Sequence, residues 1–332
     1  MVGMTRSLII LFMIFYLGAC YGQEEENANI YFSRGNNLWN KHKYNEAIIE
    51  YTKAININPK FADAYKNRGN VYLDKRDYKN ALSDYKKAIE VRPNFPNAYY
   101  NIGVIYSRIG DYDQAIANYS RAIEISPNFA LAFIMRGDAY CEKCDYDKAI
   151  SDYNQALKYE PNDARAQRHR ADAYHRKGVF GKAISDYTSA ININPASYAA
   201  YIERGILYEK KGEYDKAISD CTKAIELDPF DWAGYNNRGY CYYLKGDLEK
   251  AIADYRKALM LNPHSVDAWD NIGIAFHDMD KPALTKVCLE KAVNLGSVCY
   301  ECYLYLSEIY SRTGEKEKAD RYMKRAQEYK PK

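Results

Sequence analysis

Two Cys-x-x-Cys motifs, Cys141-Glu-Lys-Cys144 and Cys299-Tyr-Glu-Cys302, are the groupings in this chain most able to do chemistry. Two thiols at that spacing can close a local disulfide. They can also form a redox pair, if a helix terminus lowers one pKa, or give half of a zinc site. The two motifs lie too far apart along the chain to share one metal on a rigid array. Cys221 and Cys241 sit where they could face each other, and buried, unlinked thiols packed as small hydrophobes are the plainer reading of all of them. None of the five His has metal-ligand or triad spacing, and no P-loop, GxSxG, HExxH or paired-carboxylate element is present. The sequence therefore predicts no catalytic residue, no metal site and no cofactor. Lys+Arg 47 against Asp+Glu 44 leaves a net charge of +3, too even to argue for nucleic acid.

The elements that carry these residues are set by a repeat. Pro59, Pro93, Pro127, Pro161, Pro195, Pro229 and Pro263 follow one another at intervals of 34 residues. Units that start 31 residues before each Pro begin at Ala28, Ala62, Pro96, Ala130, Ala164, Tyr198, Trp232, Val266 and Tyr300. The eighth position is Gly35, Gly69, Gly103, Gly137, Ala171, Gly205, Gly239, Gly273 and Ser307. The twenty-seventh is Ala in every unit, from Ala54 to Ala326. Aromatics recur at the eleventh position, as in Tyr72 and Tyr310, and at the twenty-fourth, as in Tyr51, Tyr85, Tyr119, Tyr153 and Tyr187. Small residues let two antiparallel helices approach, and aromatics fill the space between them. Much of the large Tyr content, 35 residues, is thereby assigned to the core.

This column pattern resembles the tetratricopeptide repeat (TPR) family, most fully in Gly69, Tyr72, Ala81, Tyr85, Ala88 and Pro93. The resemblance covers about nine tenths of the chain. It implies an all-α fold, a right-handed superhelical solenoid of antiparallel helix pairs with about nine repeats over residues 28–332. Unit eight departs from it, with Lys281-Pro282 opening its second helix, Thr285 for Ala and Ser297 for Pro, so a local distortion is expected there. Lys324, Arg325, Gln327 and Glu328 suit a polar capping helix at the end.

The resemblance also implies a concave groove lined by the first helix of each unit. By column, Lys66, Asn70 and Asn101 match half of the family's carboxylate clamp, but Leu131 and Met135 stand where its basic half belongs. In unit five Arg165, Arg168, His175 and Arg176 fall on groove columns, with Asp163 and Asp172 as the only counter-charges nearby. Units six and seven add Ile202, Ile206, Tyr240 and Tyr243, and unit eight turns acidic with Asp267, Asp270 and Asp278. Such a groove would select an extended peptide or helix by its order of charge.

Arg6 followed by an apolar run from Leu8 to Leu17 reads as an export signal, too short to span a bilayer. Leu17-Gly18-Ala19-Cys20 resembles the bacterial lipobox, which implies a signal peptide over 1–19, lipidation of Cys20 and a polar tether over 20–27. Cleavage after Gly22 and free secretion is the alternative. The expected protein is a non-enzymatic scaffold of the cell envelope, at the outer membrane or in the periplasm, that binds a peptide or helix of another envelope protein. The alternative is a binder of anionic glycan or lipid headgroups through unit five.

Overall fold

The computed structural model describes residues 27–331. The signal, Cys20 and most of the tether lie outside the described residues. The chain divides after Pro161 into two compact units.

Every helix in the first unit belongs to an antiparallel pair. A first helix (A) and a second helix (B) alternate: α1 over 27–40, α2 Tyr44–Ile57, α3 Ala62–Asp74, α4 Tyr78–Val91, α5 Pro96–Arg108, α6 Tyr112–Ile125, α7 Ala130–Glu142 and α8 Tyr146–Tyr159. The second unit continues the alternation: α9 Ala164–Arg176, α10 Phe180–Ile193, α11 Tyr198–Lys210, α12 Tyr214–Leu227, α13 Trp232–Leu244, α14 Leu248–Leu261, α15 Val266–Asp278, α16 Pro282–Asn294, α17 Tyr300–Arg312 and α18 Lys316–Tyr329. Among the described residues no strand occurs. The described residues are all-α, built as nine helix pairs.

Each pair is closed by a turn whose fifteenth-position residue has positive φ. Gly110 (81°) and Gly178 (80°) adopt it without a Cβ clash, while His42, Arg76, Cys144 and Asp280 adopt it with one. Asp77, Asp111, Asp145 and Asp247 then cap the B helices, each accepting from the backbone N–H three residues on. Within a pair, the B-helix Tyr lies on the A-helix Gly. A Cβ at Gly69 would sit 2.7 Å from the Tyr85 ring. Tyr51, Tyr85, Tyr119, Tyr187 and Tyr255 are wholly buried.

A second device holds repeats two, four, six and seven to their predecessors, and its Arg–Asp half recurs in repeat five. Arg68, Arg136, Arg170, Arg204 and Arg238, at the seventh position, bond in two-pronged fashion to Asp84, Asp152, Asp186, Asp220 and Asp254, at 2.7–2.8 Å. The third nitrogen donates to a hydroxyl of the preceding B helix: Thr52, Ser120, Thr188 and Thr222 for Arg68, Arg136, Arg204 and Arg238. These carboxylates are almost fully buried. The fork geometry satisfies a charge that would otherwise be unpaired.

The distortion expected in repeat eight is local. Helix α16 starts at Pro282 and, at 13 residues, is one residue shorter than the other B helices, α2 to α18. Beyond its end Gly296 turns the chain at φ 100°, and Ser297 folds back beneath α15. In α18 only Ala319 and Ala326 are buried, and Lys324, Arg325, Gln327 and Glu328 are exposed, as a cap requires.

Arg204→Ala leaves the Asp220 carboxylate buried without its partner, which costs about 3–5 kcal/mol. Hydrogen exchange in α10 to α13 is expected to speed up accordingly. Unchanged exchange and an unchanged denaturation midpoint would show that the clasp does not hold the stack.

Candidate functional site

The residues expected to line a groove fall into three physical situations. The first is structural. Asn70 Oδ1 accepts from Tyr85 Oη at 2.8 Å and from Asn101 Nδ2 at 2.8 Å. Asn36 repeats this with Tyr51 and Asn67. The ninth-position side chain thus satisfies its own repeat's core Tyr and ties on the next A helix. Asn70 and Asn101 are brought together in an inter-repeat bond. Lys66, nearby in sequence, is half-buried, and burial lowers its pKa, with Arg92 adding to the effect and Asp63 opposing it.

The second situation is the basic group of repeat five. Arg165 is exposed and pairs with Asp163 at 3.0 Å. Arg168 pairs with Asp172 at 3.0 Å, and Asp172 also accepts from Tyr187 Oη at 2.6 Å. His175 Nδ1 lies 3.4 Å from Glu203, and Lys210 Nζ lies 3.3 Å from His175 Nε2. Arg170 is occupied by Asp186. The expectation that Asp163 and Asp172 are the only nearby counter-charges is therefore corrected. Asp186 and Glu203, from α10 and α11, fold onto the same cations. Arg176 is exposed.

The third situation is a surface. Ile202 is buried at 8% exposure, with its Cδ1 3.9 Å from where a Cβ on Gly234 would lie, so it packs against the next A helix and does not line a groove. Ile206 is partly buried, at a ninth position whose B-helix counterpart is Cys221 rather than Tyr, so it has no hydroxyl to satisfy. Tyr240 and Tyr243 stack at 6.2 Å and 16°, and Tyr240 is 37% exposed. Tyr243 Oη donates to Asp278 Oδ2 at 2.8 Å. Next along the face, His277 stacks on Tyr305 at 3.6 Å. A pocket of about 320 Å³ opens here, lined by Asn236, Asn237, Tyr240, Asp270, Ile274 and Cys299 among others. Tyr240 takes the ninth position where a polar acceptor would stand, and the buried Tyr255 hydroxyl of the same repeat has no partner among the described residues. An unmade buried hydrogen bond costs about 1–3 kcal/mol.

Among the described residues the cysteines form no disulfide. Burial pushes the Cys241 thiol up to about 12 and Cys288 to about 11, and raises Cys221 as well. These three, with Cys302, are the buried thiols expected from sequence. Cys144 is exposed, and Cys141 and Cys299 are partly exposed. A cluster that sequence reasoning missed joins Asp270, Cys299 and Cys302, whose donor atoms lie within 4.8 Å of one another. The signal for it was the loss of the Pro column at Ser297. Among the described residues no helix is long and apolar enough to cross a membrane.

Family models agree with this architecture. A model described as TPR repeat matches residues 28–75, 69–110 and 137–178, and models described as tetratricopeptide repeat match 96–129, 198–231, 232–265 and 300–332. The chain belongs to the tetratricopeptide-repeat family, whose fold is generally a non-catalytic interaction scaffold. None of the curated proteins compared with the chain matches it. Among solved structures, a tetratricopeptide repeat protein from Parabacteroides merdae is 22% identical, covers 80% of this chain and 98% of its own, and superposes with a TM-score of 0.56. Pseudomonas aeruginosa pilF is 18% identical, with 64% and 96% covered and a TM-score of 0.57. Both share the fold.

Burial, and then the Asp172 charge, raise the Glu203 pKa above its ordinary value, against the opposing pull of His175 and Arg168. A raised carboxyl binds its proton more tightly in the folded state, so stability falls as pH climbs through the window above the unfolded value. Glu203→Gln is expected to raise the unfolding midpoint at pH 7 and to lose that advantage near pH 4. A variant no more stable than the parent at pH 7 would contradict this.

Proposed function

We propose that the protein is a non-enzymatic scaffold whose second unit binds a peptide segment or helix of an envelope protein on its A-helix face, centred on Tyr240 and Tyr243. The observation that carries the reading is the Tyr240 substitution. In repeats one, two, four and five the ninth-position side chain is an amide or carboxylate that accepts from the core Tyr. In repeat seven it is an aromatic on the surface, stacked on a second one, while Tyr255 goes unsatisfied. Local stability is given up for an exposed ring pair, the pattern expected of a recognition site. Asp267, Asp278, Glu301 and Glu308 on the adjoining helices favour a basic segment with an apolar or aromatic anchor.

Binding of anionic glycan or lipid through repeat five is the weaker reading, because Asp163, Asp172 and Glu203 already face Arg165, Arg168 and His175. The envelope location rests on Leu17-Gly18-Ala19-Cys20. Two or more acyl chains on Cys20 would give durable anchoring.

Crosslinked capture from native envelopes tests these points together. Tyr240→Ala with Tyr243→Ala is expected to weaken capture of the bound protein by about 30-fold or more, the loss of a central aromatic anchor. Arg165→Glu with Arg168→Glu is expected to leave it intact. The opposite pattern would move the site to repeat five. Fatty-acid labelling of the same cells is expected to mark the protein and to miss Cys20→Ala, and label on that variant would remove the anchor.

A further inference from the structure

Cys299 and Cys302 share a motif with Cys141 and Cys144 but not an environment. Cys299 is the N-cap residue of α17, and its Sγ accepts from the Cys302 N–H at 3.4 Å. Both sulfurs therefore sit at the N-terminal end of a 13-residue helix, where the first backbone N–H groups have no helical acceptor. Cys141 and Cys144 sit at the opposite end of α7, and Cys144 occupies the left-handed turn position at φ 60°. The two Sγ atoms of the α17 pair are 2.7 Å apart. Cys302 is wholly buried and its Sγ lies 3.1 Å from Asp270 Oδ1, whereas Cys299 is partly exposed and lines the pocket beside Tyr240.

We propose that Cys299 and Cys302 form a reversible dithiol–disulfide pair that exchanges with small disulfides entering this pocket. The assignment is independent of what else the face binds.

The asymmetry of the pair assigns the order of events. Cys299, as thiolate, attacks one sulfur of the incoming disulfide and expels the other as a thiolate. That leaves a mixed disulfide on Cys299. Cys302 then gives its proton to the neighbouring Asp270 or to water, and its sulfur attacks Cys299 Sγ, releasing the second thiolate. Two thiol protons pass to the two thiolates released. The incoming disulfide takes up two electrons, and the Cys299–Cys302 bond holds the oxidised state. Until the second step Cys302 stays protonated, held so by its contact with Cys299, then by burial and Asp270. Burial also raises the pKa of Asp270, which suits it to take a proton for the moment of transfer. Ser297 Oγ, 2.8 Å from Asp270, and the Tyr303 hydroxyl, donating to the Ser297 carbonyl at 2.8 Å, fix the loop that carries Cys299.

A metal is the competing use of the same atoms, since Asp270, Cys299 and Cys302 converge. Two thiolates on one tetrahedral ion at about 2.3 Å would stand about 3.8 Å apart. At 2.7 Å the two sulfurs stand closer than one ion would hold them, and a short approach brings them to bonding distance.

The test equilibrates the reduced full-length protein across a series of reduced-to-oxidised glutathione ratios. Free thiols are then tagged by alkylation and the disulfide located by peptide mass. The expected result is a Cys299–Cys302 disulfide that forms and reverses within the series, while Cys221, Cys241 and Cys288 stay reduced. Cys302→Ser should accumulate glutathione on Cys299, and Cys299→Ser should leave Cys302 at least tenfold slower to react. Circular dichroism checks that both variants are folded. Cys299 and Cys302 unlinked at every ratio, with both variants folded, would overturn the proposal. One equivalent of Zn2+ taken up by the reduced protein and shielding both thiols would overturn it in favour of a metal site.

Discussion

A tyrosine ring laid on a glycine governs this molecule. At repeat two the space between α3 and α4 is filled by Tyr85, and any Cβ at Gly69 would overlap that ring. The pair of positions sets how closely the two helices of a repeat approach, and it recurs at Gly35, Gly103, Gly137 and Gly239. Where the ring is lost in repeats six and eight, the ninth position changes with it. Repeat six carries Cys221 and repeat eight Leu289, and the ninth positions facing them become Ile206 and Ile274. A buried phenol needs an acceptor, whereas a buried thiol or methyl group does not.

From that hydroxyl the order extends outward. Tyr85 binds Asn70, Asn70 binds Asn101, and one repeat is linked to the next through a polar atom at the edge of the A-helix face. The Arg–Asp clasps of repeats two, four, six and seven do the same on the other side of the A helix, reaching back to a hydroxyl of the preceding B helix. Much of the polar lettering on this face is thus structural. The positions that break the pattern, Tyr240 foremost, become conspicuous because everything around them follows a rule.

The fold was legible because its constraints repeat at a fixed interval. Gly, Ala and Pro columns over nine units leave one architecture that satisfies them all. The site was legible only in part. Tyr240 and Tyr243 stand partly exposed on the A-helix face, but Ile202 does not reach the surface, because the fifth position packs against the next A helix at Gly234. Repeat five read as a basic patch because Asp186 and Glu203 lie on other helices, and only folding brings them to Arg170 and His175. The clasp was present in the letters as a matched Arg and Asp sixteen residues apart, a pairing that shows once the seventh and twenty-third columns are read together. The Asp270, Cys299 and Cys302 cluster depends on the irregular end of α16, where periodicity gives no guidance.

The account stands most directly on where the bound protein touches the chain. A photoreactive benzoylphenylalanine placed at position 240, on the A-helix face, and in a separate variant at position 260, on the exposed surface of α14, would report this in intact cells. The account predicts a discrete adduct to one envelope protein from position 240 and none from position 260. Adducts from position 260 alone, or equally from both, would contradict it.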